Sequence, residues 1–173
     1  MALAESLPVV RPLDEVPRYL DAAAGWVYRE WSHVRLPSAG AQAALWRRDL
    51  ELSGLPRHFV ALVGDRPVGT ASLVARDLVS RPQLTPWLAN VVVDPAWRGR
   101  GAGTALVRAV EDEAAASGTS ILYLHTTTAA PLYQRLGWQR LEQAPDGGGM
   151  VLVMRRYLRP PSRSPRDADA AAD

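Results

Sequence analysis

The residues best suited to chemistry in this 173-residue chain run from Val91 to Thr104: Val91-Val92-Val93-Asp94-Pro95-Ala96-Trp97-Arg98-Gly99-Arg100-Gly101-Ala102-Gly103-Thr104. An apolar run stops at a proline, a glycine-rich turn follows, and a helical pattern starts directly after it. The first turn of a helix carries backbone N–H groups with no intrahelical partner and a partial positive charge. Glycines ahead of it let a ligand approach the main chain closely, so the turn is a seat for a phosphate or pyrophosphate. Arg98 and Arg100 add charge and forked donors matched to phosphate oxygens.

Spacing separates the phosphate-binding designs. A P-loop requires G-x-x-x-x-G-K-[ST], and the chain contains no lysine. A dinucleotide fingerprint requires G-x-G-x-x-G and an acidic residue about 20 positions on, at the end of the next strand. Here Gly99, Gly101 and Gly103 run G-x-G-x-G, and the next apolar segment ends in His125-Thr126-Thr127. The third pattern, R-x-x-G-x-G, is met in full by Arg98, Gly101 and Gly103. A glycine-rich connection that binds nothing is the plainer alternative.

The elements that must position this turn follow from periodicity and punctuation. Val9 to Leu13 reads as a short strand. Asp14 reads as the N-cap of a helix whose apolar positions are Tyr19, Leu20, Ala23, Val27 and Trp31. A second helix is expected from Ser38 to Leu52, with Ala41, Leu45 and Leu52 on its inner side and Gly54 as its stop. His58 to Val63 and Pro67 to Ala75 are strands joined by the hairpin loop Gly64-Asp65-Arg66. Trp87 to Asp94 is the strand that leads into the glycine turn. Gly101 to Ser117 is a helix with Leu106, Val110 and Ala114 on one face and Gly118 at its C′ position. Ile121 to Thr126 is a strand, Ala129 to Leu136 a short helix, and Trp138 to Gln143 a strand. Gly147-Gly148-Gly149 turns the chain into a last strand, Met150 to Arg156. The fold class expected is α+β, a mixed sheet flanked by helices in the order β-αα-βββ-α-β-α-ββ. Residues 1–158 should form a single domain, with 159–173, rich in Pro, Ser, Arg and Asp, as a disordered tail.

Composition bounds the function. With 47% hydrophobic residues the chain has material for a core. No apolar run approaches the ~18 residues of a membrane span, and no basic segment followed by an apolar one opens the chain, so a cytoplasmic protein is expected. There are no cysteines, which excludes disulfides, thiolate metal sites and a cysteine nucleophile. Twenty arginines stand against 18 carboxylates, a net charge of +2, and no basic cluster exceeds two residues. Nucleic acid is therefore not an expected partner. His33, His58 and His125 lack metal-ligand spacing, so no metal site is expected.

The R-x-x-G-x-G turn resembles the acyl-CoA signature of the GCN5-related N-acetyltransferase (GNAT) family, and the element order is similar to that family's too. A second motif adds to it: Ala129 or Ala130, then Tyr133, Gly137 and Trp138, resembles the family's A-x-x-x-Y-x-x-x-G-[FW]. The resemblance covers roughly Leu7 to Leu158. One departure is that many members carry asparagine at the end of the fifth strand, where this chain has Thr126-Thr127-Thr128.

The resemblance implies acetyl-CoA as cosubstrate, an amine acceptor it does not identify, and direct transfer in a ternary complex. By that resemblance the pyrophosphate rests on the backbone of Arg98, Gly99, Arg100, Gly101, Ala102, Gly103 and Thr104. The pantetheine arm pairs with Val91, Val92 and Val93, with Thr126 alongside. The Val93 amide faces the developing oxyanion, and Tyr133 protonates the departing sulfur as general acid. Asp77 or Glu30 is the base or a contact to the acceptor. His125, in a strand, reads first as a packed, hydrogen-bonded residue. A non-catalytic acyl-CoA sensor or scaffold is the alternative reading, and a homodimer is left open.

Overall fold

The strands pair into one sheet. In the computed structural model residues 7–159 are described; residues 1–6 and the expected tail from 160 onward lie outside that range. Among the described residues the strands are β1 (Val9–Pro12), β2 (Arg57–Val63), β3 (Arg66–Val74), β4 (Trp87–Val93), β5 (Ile121–Thr126), β6 (Gln139–Asp146) and β7 (Gly149–Tyr157). The helices are α1 (Leu20–Glu30), α2 (Ala39–Asp49), α3 (Ala102–Ala116) and α4 (Ala130–Arg135). The sheet order is β1-β2-β3-β4-β5-β7-β6. Only β4 and β5 are parallel, joined by the α3 crossover; the other neighbours are antiparallel. The expected element order and fold class are the ones found. No helix of the described residues is long and apolar enough to cross a membrane.

Alternation along the strands divides the core between the two faces. On one face Leu106, Val107 and Val110 of α3 pack against Phe59, Ala71, Leu88, Leu122 and Leu124. On the other, Leu20, Ala23 and Val27 of α1 and Trp46 of α2 cover Val60, Leu62 and Val92. The rest of that second face is covered by the connection 75–86, which drives Leu78 against Trp87, Val151 and Val153. Arg81 of the connection holds Glu142 of β6 with two hydrogen bonds of 2.8 Å, and Trp87 Nε1 donates to Leu84 O at 2.7 Å.

Several boundaries and faces differ from expectation. Asp14 is not an N-cap: a 3-10 turn over Pro17–Tyr19 leads into α1, no side chain caps it, and Asp14 instead approaches Arg57 at 3.5 Å. Ser38 does cap α2, its Oγ accepting the Ala41 N–H at 3.1 Å, yet the helix ends at Asp49. Its inner face is Gln42, Ala43 and Trp46, while Leu45 and Leu52 are 43% and 56% exposed. The indole explains the rotation. Trp46 stacks on His58 at 3.9 Å, and its larger apolar area outweighs the two leucines. Trp31, expected inside, is 46% exposed. Strands β6 and β7 run longer than read, because Gly147 and Gly148 both take positive φ and close a two-residue hairpin suited to the strand twist. Pro145 does not stop β6, since β6 is the sheet edge and needs no donor there.

Candidate active site

The glycine turn ends in a helix start that no side chain caps among the described residues. Gly101, at φ +85°, is the N-cap of α3 and offers no side chain. The Ala105 N–H is bonded inward to Gly101 O at 3.0 Å, so the amides of Ala102, Gly103 and Thr104 are the open ones. Gly69 fixes where this helix lies: a Cβ there would sit 2.8 Å from Val92 O and 3.1 Å from Leu106 Cδ1. Only glycine lets α3 lie this close to β3 and β4, which aims its N-terminus at the end of β4. Arg66 and Arg100 flank the Trp97 ring at 5.5 and 5.0 Å, and Arg98 Nε donates to Val93 O at 3.1 Å. Arginine charge is thus gathered around the open amides.

Beside this turn the sheet parts. The β4–β5 pairing is limited to Trp87 opposite Tyr123, with the Tyr123 N–H on Pro86 O at 3.1 Å. Beyond it the two parallel strands diverge and leave a cleft. The Asp94 N–H points to β3, bonding Val68 O at 2.9 Å. By alternation the main-chain groups of Val93 and Val91 are turned the other way, to the open edge. Val92 differs from the expectation of a binding contact along the strand: its main chain faces β3 and its side chain is buried beside Leu62.

A bulge bends this edge. Thr70 pairs with Val92 and Ser72 with Ala89, so three steps of β4 answer two of β3. The extra residue falls at Asn90, which takes φ +56°. Asparagine is among the few side chains at ease there. Asn90 Nδ2 donates to Ser72 Oγ at 3.2 Å, Ser72 Oγ meets His58 Nδ1 at 2.8 Å, and His58 Nε2 meets Asp49 Oδ2 at 3.0 Å. This buried polar chain ties the bulge through β3 and β2 to α2. Burial pushes the His58 imidazole below its ordinary range, only partly offset by Asp49.

Tyr133 sits on α4 at the same end of the sheet, 8% exposed, its ring edge-on to Trp138 at 6.1 Å. Burial pushes its phenol up to about 12, so it keeps its proton at neutral pH. Trp138 Nε1 in turn donates to the buried Glu111 of α3 at 2.8 Å, and Arg108 pairs with the same carboxylate at 2.7 Å. The Trp138 bond joins the helix under the glycine turn to the residue that precedes β6, and Arg108, on the same helix, holds the carboxylate.

Residues 20–138 match the profile of the acetyltransferase (GNAT) family. The chain belongs to that family. Solved structures agree at the level of the fold. A coenzyme A complex of an aminoglycoside 6'-N-acetyltransferase superposes with a TM-score of 0.70 at 17% identity, over 88% of this chain and 98% of that one. An N-acetyltransferase from Staphylococcus aureus Mu50 gives 0.68 at 16% identity, over 89% and 100%. A protein described as histone acetyltransferase HPA2 and related acetyltransferase, from Corynebacterium glutamicum ATCC 13032, gives 0.66 at 22%, over 90% and 99%. In sequence, a mycothiol acetyltransferase from Rhodococcus erythropolis is 48% identical over 60 residues, 35% of this chain. That match spans 18% of the relative's length.

The remaining expected residues of the acetyltransferase separate into two groups. Thr126, at the end of β5, uses its Oγ1 to accept the Ala129 N–H at 3.0 Å and so starts α4, the helix that carries Tyr133. Glu30 ends α1, exposed, with no ion pair among the described residues. Asp77 is placed differently. Its Oδ2 lies 3.0 Å from His125 Nε2, on the face covered by the connection 75–86. Asn90 escapes a reading of the sequence because an apolar run from Trp87 to Val93 looks like an unbroken strand. An asparagine in its midst is the one signal available.

Proposed function

We propose that this acetyltransferase moves the acetyl group of acetyl-CoA directly to a primary amine of a small molecule or peptide. The observation that carries this reading is the continuity of the open α3 amides with the edge of β4 that β5 leaves unpaired. One offers donors and positive potential to a pyrophosphate; the other offers the Val93 N–H and the Val91 main chain to the amide-bearing pantetheine arm, Val93 O being held by Arg98. Acetyl-CoA brings the activated thioester; the chain supplies orientation and charge stabilisation.

Each residue then has a stated part. The amides of Ala102, Gly103 and Thr104, with Gly99, Gly101 and the arginines Arg98 and Arg100 around them, hold the diphosphate. Val91 and Val93 pair with the arm, and the Val93 amide faces the oxygen that gains charge as the amine attacks. Tyr133 donates to the departing sulfur. Full proton transfer from a phenol pushed up to about 12 to an alkyl thiolate, a weaker base than that phenolate, is uphill. Its contribution is therefore a hydrogen bond to the sulfur as charge grows there. Asp77 and Glu30 are the carboxylates on the acceptor side. With no cysteine in the chain and no serine in a G-x-S-x-G elbow, no acyl-enzyme residue is indicated.

Thiol release from acetyl-CoA against a panel of primary amines, with mass detection of the product, tests this reading. The expected result is turnover with an N-acetylated product. Acetyl-CoA binding without turnover on any amine supports a sensor instead.

A further inference from the structure

The acetyltransferase needs its acceptor neutral, because an ammonium has no lone pair to attack with, so some group must take the proton. On the second face of the sheet His125 follows Tyr123, the position of β5 paired with β4, by two residues, so it points to the same side where β4 and β5 part. Trp87, completely buried, stands edge-on to its ring at 6.0 Å, and Val153 of β7 is its cross-strand neighbour. Asp77 reaches Nε2 from the connection 75–86, which Leu78 and the Arg81–Glu142 pair pin down. Among the described residues no protein group hydrogen-bonds Nδ1. The imidazole is one-fifth exposed and Asp77 somewhat more.

We propose that His125 is the general base for the acceptor amine and that Asp77 is its positioning residue. This rests on the N-acetyltransferase reading above. Asp77 fixes the tautomer with the proton on Nε2 and leaves the Nδ1 lone pair toward the cleft. The amine enters as an ammonium and gives one proton to Nδ1. Its freed lone pair forms the C–N bond to the thioester carbon; the C–S bond breaks and its electron pair leaves on sulfur. The proton then shed by the new, cationic nitrogen neutralises the thiolate, and the imidazolium releases its own proton to solvent. Ammonium and thioester become amide, thiol and one proton. The charged groups acting on His125 are Asp77 and Asp146 at the end of β6; β4 and β7 present Trp87 and Val153 to it. Burial alone would lower its titration, but the two carboxylates outweigh it and the net shift is upward.

The test is the pH profile of kcat/KM with two amines of different basicity. A limb that stays put between the amines belongs to the enzyme. The wild type should show such a limb above pH 6.5. His125→Gln should lose it and fall about 100-fold at neutral pH, recover as pH approaches the amine's own titration, and bind acetyl-CoA as before. Asp77→Asn should move the limb to lower pH, and the same displacement should appear in an NMR titration of the His125 ring. A His125→Gln enzyme with the wild-type rate and limb overturns the proposal while leaving the acetyltransferase reading intact. If His125→Gln does not fold, an Asp77→Asn enzyme whose limb and ring titration both stay in place overturns it equally. A wild type inert toward every amine overturns the reading beneath it.

Discussion

At the scale of single residues, one phenol and one glycine bear most directly on the chemistry. Tyr133→Phe removes an oxygen and leaves the ring against Trp138, so folding and acetyl-CoA affinity should hold. The lost donor to sulfur should lower kcat by roughly 10- to 1000-fold in steady-state assays. The acceptor KM should change little, since the bond forms mainly in the transition state. A wild-type kcat would return Tyr133 to the core. Gly103 offers a cleaner probe of the cofactor seat than Gly101. A Cβ at Gly103 would meet Val93 Cγ2 at an ordinary 3.7 Å, whereas Gly101 also needs its positive φ. Gly103→Val should therefore fold yet weaken acetyl-CoA by at least about tenfold, ~1.4 kcal/mol by calorimetry. Unchanged affinity would move the diphosphate off this turn.

At the scale of elements, α3 is both the proposed anion seat and, through Glu111 and Trp138, a support for the start of β6. Glu111, 6% exposed, accepts from Trp138 Nε1 and Arg108 and lies 3.7 Å from Arg156 Nε. Glu111→Ala leaves a buried indole N–H without an acceptor and an arginine without its carboxylate. It should cost about 3 kcal/mol in urea unfolding. A loss below ~1 kcal/mol would mean that water replaces the carboxylate at no cost. The elements are also what the sequence makes legible. β-rich runs bounded by turn residues and the Gly118 stop mark β2, β3, β5 and α3 within a residue or two. What escapes is decided by tertiary partners. The inner face of α2 turns on Trp46 finding His58, and the β4 bulge turns on Asn90 finding Ser72. The His125–Asp77 pair joins residues 48 positions apart. None of these contacts has a period or a motif; only the fold brings them together.

At the scale of the whole molecule, the buried His58 and the partly buried His125 should give stability opposite pH slopes. His58 titrates below its unfolded value of about 6.5, so its contribution is present above that pH and is lost as pH falls through its folded pKa. His125 titrates above, so its contribution is present below about 6.5 and is lost as pH rises through its folded pKa. In urea unfolding the advantage of wild type over His58→Gln should shrink from pH 7 to 5.5, and that over His125→Gln should shrink from pH 6 to 8. Parallel slopes would contradict both placements. The proposed cofactor side is legible in the sequence motifs, since they lie in one continuous turn and one short helix. The proposed acceptor side draws on the connection 75–86, β5 and β6, which no local pattern links.

One ligand is proposed to span the α3 N-terminus and the open edge of β4, and a crystal structure of the protein with coenzyme A tests this. The diphosphate is expected on the amides of Ala102, Gly103 and Thr104, and the pantetheine arm paired with Val91 and Val93. The thiol should lie in the cleft between β4 and β5, within reach of Tyr133. A coenzyme A bound elsewhere, with the Gly101–Thr104 amides and the β4 edge untouched, would contradict it.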